Sequence, residues 1–192
     1  MKADRIKSLN HTIVNQYPEE KIVLGYGNLA SPIMLIGEAP GSKEVELGEP
    51  FVGQAGKHFQ EFLDILGINR EDVYITNTVK YRPTRKNPKT GRLSNRPPTT
   101  KEIEDFKDYL MEEIEIIAPE IIVTLGNTPL KCLFDKETNI GEVHGELLYK
   151  KINEKKQYIF PLYHPAAVIY RPQLKEVYLG DLEKLKKIIN KF

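Results

Sequence analysis

Four short apolar segments, each followed at once by polar residues, constrain this chain more than any other feature of its sequence. The run from Ile33 to Ile36 leads into Gly37-Glu38-Ala39-Pro40-Gly41. The other three are residues 73–76 before Asn77, residues 121–125 before Gly126-Asn127-Thr128, and residues 158–163 before His164-Pro165. In open α/β sheets, ligands bind outside the carboxyl ends of parallel strands, so a carboxylate, an amide and an imidazole should meet in one pocket. The pattern predicts an enzyme.

Helical spacings of apolar residues fill the stretches between these strands, in residues 3–17, 59–66, 100–117 and 179–189. Thr99 and Glu102 form a capping-box pattern at the start of the third helix. The alternation predicts a three-layer α/β/α sandwich with a central, mostly parallel sheet of about four strands. Residues 141–160 predict an antiparallel excursion that turns through Asn153-Glu154.

The length of 192 residues, with 40% hydrophobic content, suffices for one substantial core. We therefore expect a single domain over residues 1–192. We also expect a cytoplasmic protein with no membrane association, because we find no charged, apolar and small-residue leader. No apolar run reaches the roughly 20 residues that a membrane-spanning helix needs.

The cysteine content limits the possible metal chemistry. Cys132 is the only cysteine, so this chain alone can build neither a disulfide nor a multi-cysteine metal site. It follows a predicted strand within an apolar stretch, and we expect a buried thiol.

Positive charge is concentrated in one segment, although the formal net charge is only +1. The sequence KYRPTRKNPKTGRLSNR, from Lys80 to Arg96, contains no acidic residue. Its seven basic residues are Lys80, Arg82, Arg85, Lys86, Lys89, Arg92 and Arg96. A positive loop at the mouth of a pocket predicts contact with a phosphate backbone. The alternative is a solvated loop whose charge only aids solubility.

The glycine-rich segment from Gly37 to Gly56 contains two candidate catalytic carboxylates, Glu38 and Glu44. It matches neither the phosphate-binding Walker loop nor the GxGxxG dinucleotide motif. Phe51 lies between proline and valine in this segment, and we expect it to be exposed. It is either a local packing anchor or a stacking platform for a planar base.

Two further polar residues have chemistry that suits a nucleobase. The amide of Asn77 matches the hydrogen-bonding edge of a pyrimidine, although asparagine at a strand end is as often a turn former. His164 precedes Pro165 at a predicted helix start, where it can donate a hydrogen bond to an anion. For His144, on the excursion, we identify no partner.

Taken in order, five motifs resemble the uracil-DNA glycosylase superfamily, and most of all its family 4. They are GEAPG, GxPFVGxAG, YITNTVKYRP, IVTLG and YHPAA, and they span roughly residues 20–175. The resemblance implies a monofunctional, metal-independent DNA repair enzyme of base excision, which flips uracil out of DNA and leaves an abasic site. Two alternatives stay open: a catalytically inactive nucleic-acid-binding protein of the same fold, and a glycosylase for another deaminated base.

The resemblance also implies roles for single residues. Phe51 would stack on uracil, Asn77 would read its edge, and His164 would stabilise negative charge on the departing base. Gly37 and Ala39 would line the substrate pocket, and the loop with Glu38 and Glu44 would position the hydrolytic water. The turn from Ala167 to Arg171 would press into the minor groove. The DNA-binding residues would be Lys80, Arg82, Arg85, Lys86, Lys89, Arg92 and Arg171. We expect uracil-containing DNA as the partner and a monomer.

The chain departs from family 4 at its cofactor. Family 4 members usually hold an iron–sulfur cluster on four cysteines, but two of those positions carry Tyr81 and Phe106 here. We therefore expect no cluster and no other cofactor, with aromatic packing in its place. In one branch of the superfamily, a histidine in the basic loop becomes covalently trapped on DNA. Residues 82–98 contain no histidine, which argues against that behaviour.

Overall fold

The structure, a computed structural model, describes residues 1–191 and gives the backbone alone at positions 54, 55, 169 and 170. Its strands are β1 (Tyr26–Gly27), β2 (Ile33–Gly37), β3 (Tyr74–Asn77), β4 (Thr84–Lys86), β5 (Leu93–Asn95), β6 (Ile121–Leu125), β7 (Leu148–Ile152) and β8 (Lys155–Leu162). Its helices are α1 (Lys2–Gln16), α2 (Ser42–Leu47), α3 (Gln54–Leu66), α4 (Thr100–Ile117), α5 (Asn127–Leu133), α6 (Ile140–Val143), α7 (Pro165–Tyr170) and α8 (Lys175–Ile189). Short 3₁₀ turns cover Arg70–Asp72 and Pro172–Leu174.

The central sheet has six strands in the order β1-β3-β2-β6-β8-β7. The four inner strands, β3, β2, β6 and β8, are parallel, and the two outer strands pair antiparallel. This confirms the predicted, mostly parallel sheet of about four strands. The antiparallel strands at both edges extend it to six.

Helices cover both faces of the sheet and create two separate apolar cores. Along β2, Met34 and Ile36 pack against α1 and α4, whereas Ile33 and Leu35 pack against α3 and α8. Side chains of a strand alternate between faces, so a strand that is apolar throughout contributes to both cores. This arrangement confirms the three-layer α/β/α sandwich.

The predicted helix boundaries at two sites are confirmed by their caps. Thr99 and Glu102 form the capping box at the start of α4. Gly67 ends α3 in the left-handed conformation, with φ of 73°. Both caps satisfy backbone groups that the helix ends would otherwise leave without partners.

Two segments differ from the prediction. The excursion over residues 141–160 begins with the short helix α6, so the antiparallel pair starts only at Leu148. Its turn does lie at Asn153 and Glu154, both with positive φ. The basic loop contains the two-stranded hairpin of β4 and β5 instead of irregular structure. Across residues 1–191, no helix is both long and apolar enough to cross a membrane.

Candidate functional site

A cleft of about 870 Å³ lies at the carboxyl ends of the parallel strands. Most of the residues that the sequence predicted for a site line it, namely Glu38, Ala39, Glu44, Phe51, Asn77, His164 and Arg171. The parallel register places the strand ends side by side, because Gly37 on β2 pairs with Asn77 on β3. The cleft therefore lies where open α/β sheets bind ligands.

The base of the cleft depends on the absence of a side chain at Gly37. A Cβ atom at this position would lie 2.5 Å from both Asn77 Oδ1 and Phe51 Cζ. Asn77 is 3% exposed, so its amide is held in a nearly closed environment. Glycine is required here because only it allows the Asn77 amide and the Phe51 ring to meet across the strand end.

Phe51 is not the exposed loop residue that we expected. It is 6% exposed, and its ring packs against Phe59 at a centroid distance of 4.7 Å. Its φ of 54° lies in the left-handed region, which turns the ring into the cleft instead of toward solvent. The ring of His164 lies 6.0 Å away and nearly parallel to it.

Arg70, which the sequence did not single out, fixes the backbone of this aromatic residue. Its guanidinium donates to the carbonyl oxygens of Pro50 and of Phe51, the latter at 3.2 Å. These bonds hold the loop in its unusual conformation, and burial lowers the pKa of Arg70 from its ordinary value. A lone arginine in the turn after α3 gives no pattern from which this role could be predicted.

The two candidate carboxylates are held by different partners. One oxygen of buried Glu44 accepts the backbone N–H of Gly53 at 2.9 Å, and the other lies toward Gly41. Glu38 accepts the hydroxyl of Thr128 at the start of α5. Each carboxylate thus keeps one oxygen outside these bonds, and both residues line the cleft.

His164 lies where β8 gives way to α7, and it caps that helix. Its Nδ1 accepts the backbone N–H of Ala166 at 3.2 Å. Burial lowers the pKa of His164 to about 4, although the nearby carboxylate of Glu44 opposes this shift. A neutral imidazole that accepts at Nδ1 must carry its proton on Nε2. The ring is therefore prepared to donate one hydrogen bond into the cleft.

The prediction that Lys80 binds DNA is wrong. Lys80 is 1% exposed, and its ammonium group donates to Glu113 at 2.6 Å and to the backbone oxygen of Asn77 at 2.9 Å. It also contacts Thr76 Oγ1. The side chain turns into the core because the buried carboxylate of Glu113, on α4, pairs with it. The positive charge of Lys80 is therefore neutralised within the protein.

The rest of the basic segment divides into bound and exposed residues. Arg96 forms a two-bond ion pair with Glu102, which also accepts the Tyr81 hydroxyl. Arg82 is half-buried, whereas Arg85, Lys86, Lys89 and Arg92 are exposed on the hairpin. The hairpin reaches the cleft through Asn95, which lines its mouth. Arg171, which also lines the cleft, is exposed as well.

Two other expectations concern residues near the cleft. His144, for which the sequence suggested no partner, bonds Asp181 at 2.6 Å and packs against the ring of Tyr163. Along the turn from Ala167 to Arg171, the backbone of α7 is helical as far as Tyr170. The side chains at positions 169 and 170 lie outside the described part of that turn.

The residues at the expected cluster positions do not fit an iron–sulfur group. Tyr81 and Phe106 pack edge to face at 5.6 Å, and Tyr17 stacks on Phe106 at 4.6 Å. Aromatic rings offer no thiolate ligands, and the single thiol, Cys132, is buried with its pKa raised by burial to about 11. Within residues 1–191, no group of three or more His, Cys, Asp or Glu side chains is placed to hold a metal ion.

Comparison with known proteins finds consistent similarity. The family model described as the uracil DNA glycosylase superfamily matches residues 24–190. A type-4 uracil-DNA glycosylase of Archaeoglobus fulgidus is 44% identical over 173 residues, which is 88% of this chain and 82% of that protein. Proteins of the same name from Sulfurisphaera tokodaii and Thermotoga maritima are 40% and 39% identical, over 86% and 88% of this chain and 74% and 84% of their own lengths.

Proposed function

Because this chain belongs to the uracil DNA glycosylase superfamily, we propose that it is a monofunctional DNA repair enzyme that hydrolyses the bond between uracil and deoxyribose. The observation that carries this proposal is the meeting of Asn77, Phe51, His164 and Glu44 in one cleft. An amide, an aromatic ring, a neutral imidazole and a carboxylate are the groups that recognition and excision of a flipped pyrimidine require.

The reaction separates charge, and the cleft has suitable groups at both ends. As the N1–C1′ bond breaks, its electron pair stays on uracil and positive charge develops on the sugar. We assign stacking on the base to Phe51 and recognition of its edge to Asn77. Gly37 and Ala39 complete the pocket around the base. The Nε2–H of His164 would donate to the uracil oxygen on which negative charge grows.

The carboxylates serve the sugar side of the reaction. We assign to Glu44, with Glu38 beside it, the positioning of the water that attacks C1′. Their negative charge also favours the positive sugar that precedes this attack. The new bond joins the water oxygen to C1′, and the proton that water loses passes to a carboxylate. The products are an abasic site and the uracil anion, which takes up a proton from solvent to give free uracil.

We further propose that the enzyme acts without a cofactor, as a single domain and as a monomer in the cytoplasm. The aromatic rings of Tyr81 and Phe106 support the absence of a cluster, because they fill the place with packed apolar surface. The single cleft supports a monomer, since all proposed groups come from one chain. Arg82, Arg85, Lys86, Lys89, Arg92 and Arg171 are the proposed phosphate contacts.

The test of this function is an excision assay in EDTA with no added metal. Oligonucleotides carrying one uracil, one mismatched thymine or one hypoxanthine are incubated with the protein and then treated with alkali, which breaks the strand at abasic sites. We expect uracil-dependent breakage that EDTA leaves unchanged. Binding of DNA without breakage of any substrate would overturn the proposal and favour a non-catalytic nucleic-acid-binding protein. Breakage at hypoxanthine alone would favour a different base.

The lowered pKa of His164 leads to a separate prediction about how the rate and the stability depend on pH. Because this pKa is lowered to about 4, the imidazole should stay neutral from about pH 5 to about pH 8. The single-turnover rate of uracil release should therefore show no inflection from His164 in this range. The unfolded chain binds the same proton near pH 6.5, so the stability that neutral His164 contributes is present above that pH and lost as pH falls toward 4.

An NMR titration of the His164 ring measures this pKa directly. A ring that titrates near pH 6.5 would contradict the prediction. So would a rate inflection near that pH that disappears when His164 is replaced.

A further inference from the structure

Asn95, at the end of β5, brings the basic hairpin into direct contact with the cleft. Its Oδ1 accepts the Nε–H of Arg82 at 2.7 Å, which fixes the orientation of the amide. Its Nδ2 then points toward Gly41, where an added Cβ would lie 3.7 Å from it. Among the groups that the structure describes, which leave out the side chains at positions 54, 55, 169 and 170, no hydrogen-bond partner is found for this Nδ2 group. One amide donor is thus held in place at the mouth of the cleft, and no described protein group uses it.

The hairpin that carries Asn95 is anchored at its stem by one carboxylate. The Glu102 carboxylate accepts hydrogen bonds from both terminal nitrogens of Arg96, at 2.6 and 2.7 Å. It also accepts one from the hydroxyl of Tyr81, at 2.8 Å. These residues flank the two ends of the hairpin. The Arg96 bonds lower the pKa of Glu102 far below its ordinary value, so the anchor stays ionised. Arg96 also bonds the backbone of β4 through Thr84.

The position of the free donor determines what it can bind. Glu44 Oε2 lies 2.7 Å from the same added Cβ at Gly41, so Asn95 Nδ2 and the Glu44 carboxylate flank one point of the cleft. Glu44 faces the sugar in the proposed reaction, whereas Asn77 and Phe51 lie deeper in the cleft, where the uracil ring would bind. Asn95 is exposed and lies at the mouth of the cleft, farther out than Glu44 and beside the positive charge of Arg82. A phosphate attached to the flipped sugar would reach this place.

We propose that Asn95 is a substrate-binding residue whose amide N–H donates to the deoxyribose phosphate of the nucleotide drawn into the cleft. Arg82 is the positioning residue that orients this amide, and Glu102 positions the hairpin. The inference rests on the proposed function, because it requires a nucleotide flipped into this cleft. It gives the hairpin a specific contact in addition to its general attraction for DNA.

The test compares binding of two duplexes that differ at one nucleotide. One carries 2′-fluoro-2′-deoxyuridine, whose glycosidic bond resists hydrolysis, and the other carries thymidine. We expect Asn95→Ala to weaken binding of the fluorouridine duplex at least about tenfold, the usual effect of losing a hydrogen bond to a charged group. Binding of the thymidine duplex should change less than about twofold, and the salt dependence should stay the same.

Two further variants separate donation from support of the hairpin. Asn95→Asp keeps the oxygen that accepts from Arg82 but replaces the donor with a negative oxygen, so it should lose at least as much affinity as Asn95→Ala. Ser94→Ala is the matched control, because Ser94 lies next to Asn95 on β5 but bonds Arg85 and does not line the cleft. It should bind both duplexes like the wild type.

Each other result overturns the inference. Equal weakening on both duplexes would mean that Asn95 only supports the hairpin, and wild-type affinity in Asn95→Asp would mean that only the Arg82 bond matters. Loss of the proposed function looks different, because the wild type itself would then release no uracil. A wild type that also binds both duplexes equally would overturn the function and the inference together.

Discussion

Replacing His164 with alanine should reduce the single-turnover rate of uracil release at least about a hundredfold. One preorganised donor to a developing anion contributes roughly 3 to 4 kcal/mol to the stability of a transition state. His164 meets the conditions for such a donor, because its Nδ1 bond to Ala166 fixes the ring and leaves the proton on Nε2. Affinity for uracil-containing DNA should change much less than the rate, since the negative charge on uracil develops only as the bond breaks.

The helix cap that His164 forms requires a second variant. His164→Ala removes the acceptor for Ala166 N–H, which alone costs about 1 kcal/mol of stability. His164→Ser restores a capping oxygen but is too short to reach the base, so it should remain as slow as His164→Ala while regaining stability. His11→Ala is the matched control, because His11 is exposed on α1 and, among the described residues, bonds only Asn15.

Thermal unfolding and quenched single-turnover assays measure both effects. A rate in His164→Ser close to that of the wild type would show that the cap, and not the Nε2 donor, accounts for the loss. Unchanged DNA binding with no wild-type activity at all would instead support the non-catalytic alternative.

The position of the site could be predicted because it follows from backbone geometry. Apolar runs that end in glycine, asparagine or histidine fix which side chains lie at the carboxyl ends of parallel strands. Gly37, Asn77 and His164 all lie there, on β2, on β3 and two residues after the end of β8. Pro165 at the first helical position similarly indicated the helix start that orients His164.

The orientation of Phe51 could not be predicted, because it depends on tertiary contacts. Pro50 directly before Phe51 and Gly53 two residues after it suggest an exposed turn, yet a positive φ and two bonds from Arg70 turn the ring inward. The hairpin was missed for a different reason. Its strands are short and charged, and they lack the alternation of apolar residues that indicates a strand.

The burial of Lys80 was missed because its partner is distant in sequence. Lys80 begins a run of basic residues, and its ion pair with Glu113 joins residues 33 positions apart. One signal was available: Glu113 follows Leu110 by three positions and Phe106 by seven, which places a carboxylate on the apolar face of α4. A carboxylate on a buried face requires a partner, and the sequence does not say which cation provides it.

This buried pair leads to the second large prediction, which concerns stability. Lys80→Met should lower the free energy of unfolding by about 3 to 5 kcal/mol, the usual effect of leaving one member of a buried ion pair without its partner. Glu113 is 2% exposed, and without Lys80 its remaining donors are the hydroxyls of Tyr74 and Thr76. Since small domains have only about 5 to 15 kcal/mol of stability, the loss should be evident in denaturant titration.

A double variant distinguishes loss of the ion pair from loss of side-chain packing. Lys80→Met/Glu113→Gln removes the buried charge and keeps an oxygen for Tyr74, so it should be more stable than Lys80→Met, with a coupling free energy on the order of 1 to 3 kcal/mol. Lys101→Met is the matched control, because Lys101 is 83% exposed and pairs with Asp105 one helical turn away. That pair should contribute only about 0.3 to 0.5 kcal/mol. If the double variant were no more stable than Lys80→Met, the loss would have to come from the bonds of Lys80 to Thr76 and Asn77. The ammonium group would then act mainly by holding the backbone of Asn77 in place at the base of the cleft.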